Sequence, residues 1–269
     1  MVEFCPLFSS SSGNCVYIGG EGGGVLVDAG VSAKQAELAL WDIGVDAESI
    51  RAVFVTHEHS DHVRGLRVFA KRHKLPVWAT AGTLAALEEA GIADGSFECR
   101  VVPPGGAEAA GFLFETFRTS HDVRESCGYR ITLPDGRGAA IATDLGLVTP
   151  EVLGALTGCE LVMLESNHDV EMLRSGAYPY WLKQRILSDE GHLSNEVCAQ
   201  TAARLVRSGV SQLILGHLSK ENNHPDLAYE HTNAALLAIG ARVGTDCALS
   251  VAGVRVHPPD GIHYIGGER

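Results

Sequence analysis

The stretch "THEHSDHVRGL" at 56–66 packs His57, His59, Asp61 and His62 into six residues. It directly follows "AVFVT" (52–56), an apolar run that reads as a buried strand. A strand that ends in a tight turn lets alternate side chains converge on one point. Four ligands at this spacing crowd a single ion, so two adjacent ions are the natural geometry. Imidazole suits zinc, manganese or iron, and a carboxylate can bridge or hold the second ion. A two-metal centre then needs about three further ligands. Other apolar runs end in suitable side chains: "FETFRTSH" at His121, "GAAIATD" at Asp144 and "SQLILGH" at His217. Taken singly, each is an ordinary turn residue; together with 57–62 they complete a ligand set.

The elements that must position these residues follow from patterning. "VEFCPLF", "CVYIGG" and "GVLVDAG" read as strands, then "SAKQAELALWDIG" as a helix with a Ser32/Gln35 capping box ended by Gly44. "VRGLRVFAKRH" and "GTLAALEEAG" read as helices around the short strand "PVWAT". Strands dominate 97–142, and "TPEVLGALTG" is a helix with Thr149 as N-cap and Pro150 at its first position. Strands "ELVMLES" and "QLILGH" alternate with helices near 178–187, over "NEVCAQTAARLVRSG" and over "NAALLAIG". "ALSVAG" and "VRVHP" are expected to close the chain as a hairpin. This order predicts an α/β fold, two sheets faced by helices, in one domain spanning 1–269.

Composition bounds the chemistry. A formal net charge of −12 argues against wide binding to nucleic acid through many basic contacts. Bound divalent ions would still supply positive charge where a phosphate sits. No apolar run reaches the ~18 residues of a membrane span, and the first ten residues lack the pattern of a signal peptide. The seven cysteines are scattered without any CxxC pair, which points to a reducing cytoplasm rather than a disulfide framework.

The ordered set HxHxDH (57–62), His121, Asp144 and His217, with Asp28 in "LVDAG", resembles the metallo-β-lactamase superfamily. That resemblance implies a four-layer αββα sandwich with a dinuclear site. It implies that His57, His59 and His121 hold one metal, that Asp61, His62 and His217 hold the other, and that Asp144 bridges them. A hydroxide between the ions is then the nucleophile. β-Lactamases of this fold commonly carry cysteine where Asp144 stands and lack an equivalent of His62, so antibiotic hydrolysis does not fit. Twenty-two residues between His121 and Asp144 leave no room for the protruding arm of RNase Z. Seventy-two between Asp144 and His217 leave none for an inserted β-CASP domain.

The match sharpens at "SSSSGNCVYI" (9–18), "ESNHDVEML" (165–173), "YPYWLKQRI" with "GHLSNE" (178–196) and "LGHLSKENNHP" (215–225). With HEHSDH these resemble the YycJ/WalJ (VicX) group. The group implies a cytoplasmic bacterial nuclease acting 5′→3′ on DNA, often with divalent manganese. Two divalent ions (zinc or manganese, or iron) are expected, with no membrane and no obligate protein partner. RNA is the second candidate polymer. A hydrolase of small thioesters or cyclic phosphodiesters, and a metal-free binding module, stay open as alternatives.

Two near-identical hexapeptides, "GHLSNE" (191–196) and "GHLSKE" (216–221), separate by context. His217 ends a strand. His192 precedes a helix opened by Ser194, where free N–H groups favour phosphate and a protonated imidazole can stabilise a departing oxygen. His192 and Asp61 are the expected catalytic residues. Substrate contacts are expected from Ser11, Asn14, His168, His192, Ser194, Ser219 and Asn222, with Asp28 and Glu165 orienting ligands from behind. Arg64, Arg67, Lys71 and Lys74 share one helix face. Tyr178, Tyr180 and Trp181 are expected to pack into the core more than to meet bases.

Overall fold

The computed structural model describes residues 1–258 and 261–266. Seven strands come first: β1 (Val2–Phe8), β2 (Cys15–Gly20), β3 (Gly23–Val27), β4 (Ile50–Phe54), β5 (Val77–Ala79), β6 (Cys99–Val101) and β7 (Ala107–Ala109). The rest are β8 (Phe112–Arg118), β9 (Cys127–Thr132), β10 (Gly138–Ala142), β11 (Leu161–Glu165), β12 (Gln212–Gly216), β13 (Ala248–Val251) and β14 (His263–Ile265). Early helices are α1 (Ala33–Asp42), α2 (Ser60–Val63), α3 (Leu66–His73) and α4 (Ala81–Glu89). Later ones are α5 (Pro150–Leu156), α6 (Val170–Ser175), α7 (Tyr180–Ile186), α8 (Asn195–Arg207) and α9 (Pro225–Ala238).

One sheet has the order β14-β1-β2-β3-β4-β5-β6 and the other β13-β12-β11-β10-β9-β8-β7. Both are mixed. β1 to β3 pair antiparallel, whereas β3 to β6 run parallel. In the second sheet β9 and β10 are antiparallel and β10 to β13 parallel. Parallel neighbours need crossover connections, which the helices supply, and strands covered on both faces read as unbroken apolar runs. β10 and β11 are buried at every residue.

The parallel halves position the chemistry. Asp28, His57, Asp144 and His217 lie within three residues of the C-terminal ends of β3, β4, β10 and β12, and Glu165 is the last residue of β11. Side chains for ligand binding gather at the carboxyl ends of parallel strands because the crossover loops begin there.

The chain divides into two compact units, residues 1–116, 123–127 and from 252 onward, and residues 117–122 with 128–251. In the first, Leu7, Leu26, Leu40, Leu66 and Phe69 belong to the core, and Phe54 of β4 stacks on Phe114 of β8 at 4.0 Å. α1 opens with the Ser32/Gln35 capping box. In the second, Val162, Leu164, Leu213 and Leu215 pack with Cys198, Ala202 and Leu205 of α8. α5 has Thr149 as N-cap and Pro150 in its first turn.

Two elements differ from expectation. Among the described residues "ALSVAG" and "VRVHP" do not form a hairpin: β13 pairs parallel with β12, while Val256 N–H donates to Leu7 O at 2.8 Å. The closing strand is β14, antiparallel to β1. The helix expected over 63–73 breaks at Gly65, whose N–H donates to Ala29 O at 2.8 Å. A Cβ at Gly65 would stand 1.9 Å from Val31 O, so this approach admits only glycine. Replacing Phe114 by Ala removes one partner of the buried ring stack. It should cost about 3–5 kcal/mol, seen in urea as a lower midpoint with an unchanged slope.

Candidate metal centre

In the first unit the metal-ligand candidates are held from behind by Asp28, which is 3% exposed. Its Oδ1 accepts from Thr56 N at 2.9 Å. Its Oδ2 accepts from Thr56 Oγ1 at 2.9 Å and from His62 Nδ1 at 2.8 Å. These bonds settle two tautomers by donor accounting. A carboxylate only accepts, so His62 carries its proton on Nδ1 and its Nε2 is an acceptor, with Asn14 Nδ2 3.0 Å away. Thr56 spends its single hydroxyl proton on Asp28, so at 3.0 Å it accepts from His57 Nδ1. His57 Nε2 is thereby left as a lone pair as well. His59 turns its Nδ1 to 3.1 Å from His57 Nε2, so both atoms face one point.

The "SSSSGN" loop is latched onto the same place. Asn14 N–H donates to Asp61 O at 2.8 Å. Its Nδ2 lies 3.0 Å from His62 Nε2 and 3.3 Å from Asp61 Oδ2, and its Oδ1 accepts from Ser10 N at 3.2 Å. Ser11 is exposed at the loop tip. Gly30 N–H donates to Asn14 O at 2.8 Å, and a Cβ there would meet Asp61 O at 1.6 Å. Any side chain at residue 30 would push the ligand loop away.

In the second unit Glu165 is the hub. Fully buried, it accepts four hydrogen bonds. Oε1 takes His192 Nδ1 at 2.9 Å and His217 Nδ1 at 2.7 Å; Oε2 takes Leu145 N at 3.1 Å and Leu193 N at 3.0 Å. Burial alone would raise its pKa; the charge of His192 and the hydrogen bonds from His192 and His217 outweigh that and hold it well below the usual glutamate range. His217 again keeps Nε2 for an ion, 3.5 Å from Asp144 Oδ1. His121 donates Nδ1–H to Gly191 O at 3.2 Å and sets its Nε2 3.7 Å from the same Asp144 oxygen. Asp144 Oδ1 thus faces ring nitrogens of His121, His192 and His217.

Backbone conformation supports this aim. Asp28, Asp144 and His217 have φ of 63°, 58° and 56°, three of the five non-glycine residues in the left-handed region among the described residues. Such a conformation costs about 1–2 kcal/mol for an ordinary side chain. It turns each side chain sharply off its strand end.

The other candidates are placed as follows. His168 is 1% exposed, neither ring nitrogen has a hydrogen-bond partner among the described residues, and burial above all pushes its pKa down to about 4. Ser194 caps α8, accepting from Val197 N at 3.3 Å. Ser219 N–H donates to Asn167 O at 2.8 Å, and Ser219 Oγ accepts from Asn222 N at 3.2 Å. Asn222 O in turn accepts from Asp169 N at 2.9 Å. Sequence reasoning missed Thr56, whose only signal is its place just before the HxHxDH stretch. It also missed Asn167, which donates to His217 O at 2.9 Å. Tyr180 and Trp181 are not in the core: they are 77% and 67% exposed.

Asp28→Asn keeps a residue type that tolerates the left-handed backbone but removes the charge that orients His62 and Thr56. Metal affinity, measured by competition with a chromophoric chelator, should fall about 10–100-fold while the thermal midpoint stays within a few degrees.

No helix among the described residues is long and apolar enough to cross a membrane. A family model described as the beta-lactamase superfamily domain matches residues 24–218. Exodeoxyribonuclease YycJ of Bacillus anthracis is 36% identical over 244 residues, 90% of this chain and 92% of that protein. Exodeoxyribonuclease WalJ of Streptococcus pneumoniae is 38% identical over 248 residues, 91% of each. The metallo-beta-lactamase fold protein YhfI from Bacillus subtilis superposes with a TM-score of 0.68 at 17% identity, covering 95% of this chain and 98% of that one. Fold, strand-end carboxylates and histidines, and full-length similarity agree: the chain belongs to the beta-lactamase superfamily, within its YycJ/WalJ group.

Proposed function

We propose that this chain is a two-metal phosphodiesterase that degrades DNA as a 5′→3′ exonuclease, built as a single catalytic domain without a β-CASP insertion or a tRNA-binding arm. The names of the full-length relatives support the substrate class. The observation that carries the reading is the pinning of Nδ1. Of the five histidines proposed as ligands, His57, His62, His121 and His217 each hand Nδ1–H to an acceptor and keep Nε2. Such a donor set suits divalent transition ions, because neutral imidazole binds through its one lone pair.

The proposed ligands are His57, His59 and His121 for one ion and Asp61, His62 and His217 for the other, with Asp144 shared. Zinc, manganese and iron all match this nitrogen and oxygen set. When bound, two such ions supply Lewis acidity and lower the pKa of water, which hydrolysis of a phosphodiester requires. The chain's own part in the reaction falls to His192. Its Nδ1 is held by Glu165 at 2.9 Å and its side chain is 15% exposed. Nε2 is therefore the atom left to hold a proton and deliver it to the departing oxygen. α8 begins three residues later, and its first N–H groups favour a phosphate nearby. The cytoplasm is the proposed compartment, since all seven cysteines are free thiols and six are buried.

Elemental analysis of protein purified without chelators should find two transition ions per chain. Fewer than one after reconstitution with manganese or zinc would overturn the dinuclear proposal. With manganese present, a 5′-labelled duplex should release labelled mononucleotide before a 3′-labelled one does; the reverse order would overturn the polarity. His192→Ala should lose about 10²–10⁴-fold in turnover with metal content unchanged, and full activity in that variant would end the proton-delivery role.

A further inference from the structure

Tyr180 and Trp181 are the first two residues of α7, and both face solvent. Two large aromatics left exposed on one turn forgo the burial that normally holds such rings in place, and so mark a surface that meets something. Residues 172–188 around them carry Arg174, Lys183 and Arg185 and no acidic residue, within a chain of net charge −12 that holds 33 Asp and Glu. Arg174 and Arg185 pair with Glu171 and Asp122, and Asp189 and Glu190 follow directly, so the patch offers ring faces rather than net positive charge.

The platform is stiff and tied to the reactive histidine. Pro179 caps the helix, and Lys183 Nζ donates to Arg174 O and Gly176 O, each at 2.7 Å. Ile186 O, at the other end, accepts from His192 N at 3.0 Å. A Cβ on Gly191 would stand 2.2 Å from that same oxygen, so the turn from α7 to His192 is closely packed. Arg185 pairs with Asp122, which adjoins His121. Six residues of helix separate Tyr180 from Ile186, ~9 Å along the axis, a reach of a few nucleotides.

We infer that Tyr180 and Trp181 form a stacking platform for unpaired bases of a nucleic-acid strand whose scissile phosphate lies at the metal centre. This rests on the phosphodiesterase reading above and names a binding surface for it. The charge balance is the physical reason for such a device. An acidic chain gains little from counterion release along the backbone, whereas base–aromatic stacking is tolerant of sequence and is made between ring faces rather than between charges.

The test compares two substrates on manganese-loaded protein: bis(p-nitrophenyl) phosphate, which has no base to stack, and a 5′-phosphorylated single-stranded oligothymidylate. The double variant Tyr180→Ala, Trp181→Ala should raise KM for the oligonucleotide about tenfold or more and leave hydrolysis of the small diester unchanged. Tyr180→Phe with Trp181→Phe should restore the wild-type KM. Oligothymidylate should also quench tryptophan fluorescence in the wild type and much less in Trp181→Phe. An unchanged oligonucleotide KM in the double Ala variant overturns the inference, as does a loss of self-association in that variant with KM unaltered, which would make the patch a contact between copies. Wild-type protein that hydrolyses neither substrate would instead defeat the phosphodiesterase reading, so the two failures are distinct.

Discussion

A carboxylate with no exposed surface is tolerable only if every charge it brings inside is answered, and Glu165 is answered four times. Two imidazole N–H groups and two backbone amides converge on its oxygens. Removing one partner of such a buried charged network typically costs about 3–5 kcal/mol, because the remaining charge is stranded. The consequence is positional. Leu145 follows β10, Leu193 precedes α8 and His217 follows β12, so one side chain locks three loops at the ends of three elements. Its neighbours hold the Glu165 carboxyl well below the usual glutamate range, so it is ionised at neutral pH, and its contribution is lost as pH falls below that range.

Asp28 does for the first unit what Glu165 does for the second. It takes a backbone amide, a hydroxyl and a ring N–H, and through Thr56 its influence reaches His57 as well as His62. Each hub therefore orients two histidines: His57 and His217 stand just past parallel strands, while His62 lies in α2 and His192 just before α8. The left-handed backbone at Asp28, Asp144 and His217 belongs to the same logic. A strand end must turn abruptly to present a ligand rather than continue into its crossover. The strain of that turn, on the order of 1–2 kcal/mol per residue, persists because hydrogen bonds on both sides fix the conformation.

Much of this was legible in the residues, and the failures are instructive. HxHxDH after an apolar strand, and His121, Asp144 and His217 at other strand ends, need only a pattern of local apolar runs with a ligand at each end. The capping of α1 and α5 is likewise local. β14 was not legible because its partner, β1, lies at the opposite end of the chain, and nothing in the closing segment encodes that pairing. The break at Gly65 depends on the backbone of residues 29–31, a distant segment against which a helix pattern gives no warning. Tyr180 and Trp181 misled for another reason. An aromatic ring is apolar enough to suggest a core and polar enough to live outside it, so composition alone does not decide.

That last ambiguity bears on how an acidic protein could handle a polyanion. Asp28, Asp61, Asp144 and Glu165 all contribute to the formal −12, and two of them, Asp61 and Asp144, are proposed as metal ligands. Two divalent ions, as proposed, would bring +4 and leave −8, so the sign changes locally and not globally. The remaining acidic surface repels a duplex that tries to lie broadly on the protein. On the proposed binding mode, a single strand entering end-on would bring fewer phosphates against that surface and would be held by ring faces at its bases. A charge distribution of this kind favours a chain end over a chain interior, because an end offers the fewest phosphates for the attraction gained. Preference for ends would then follow from where the negative charge is kept as much as from the shape of the site.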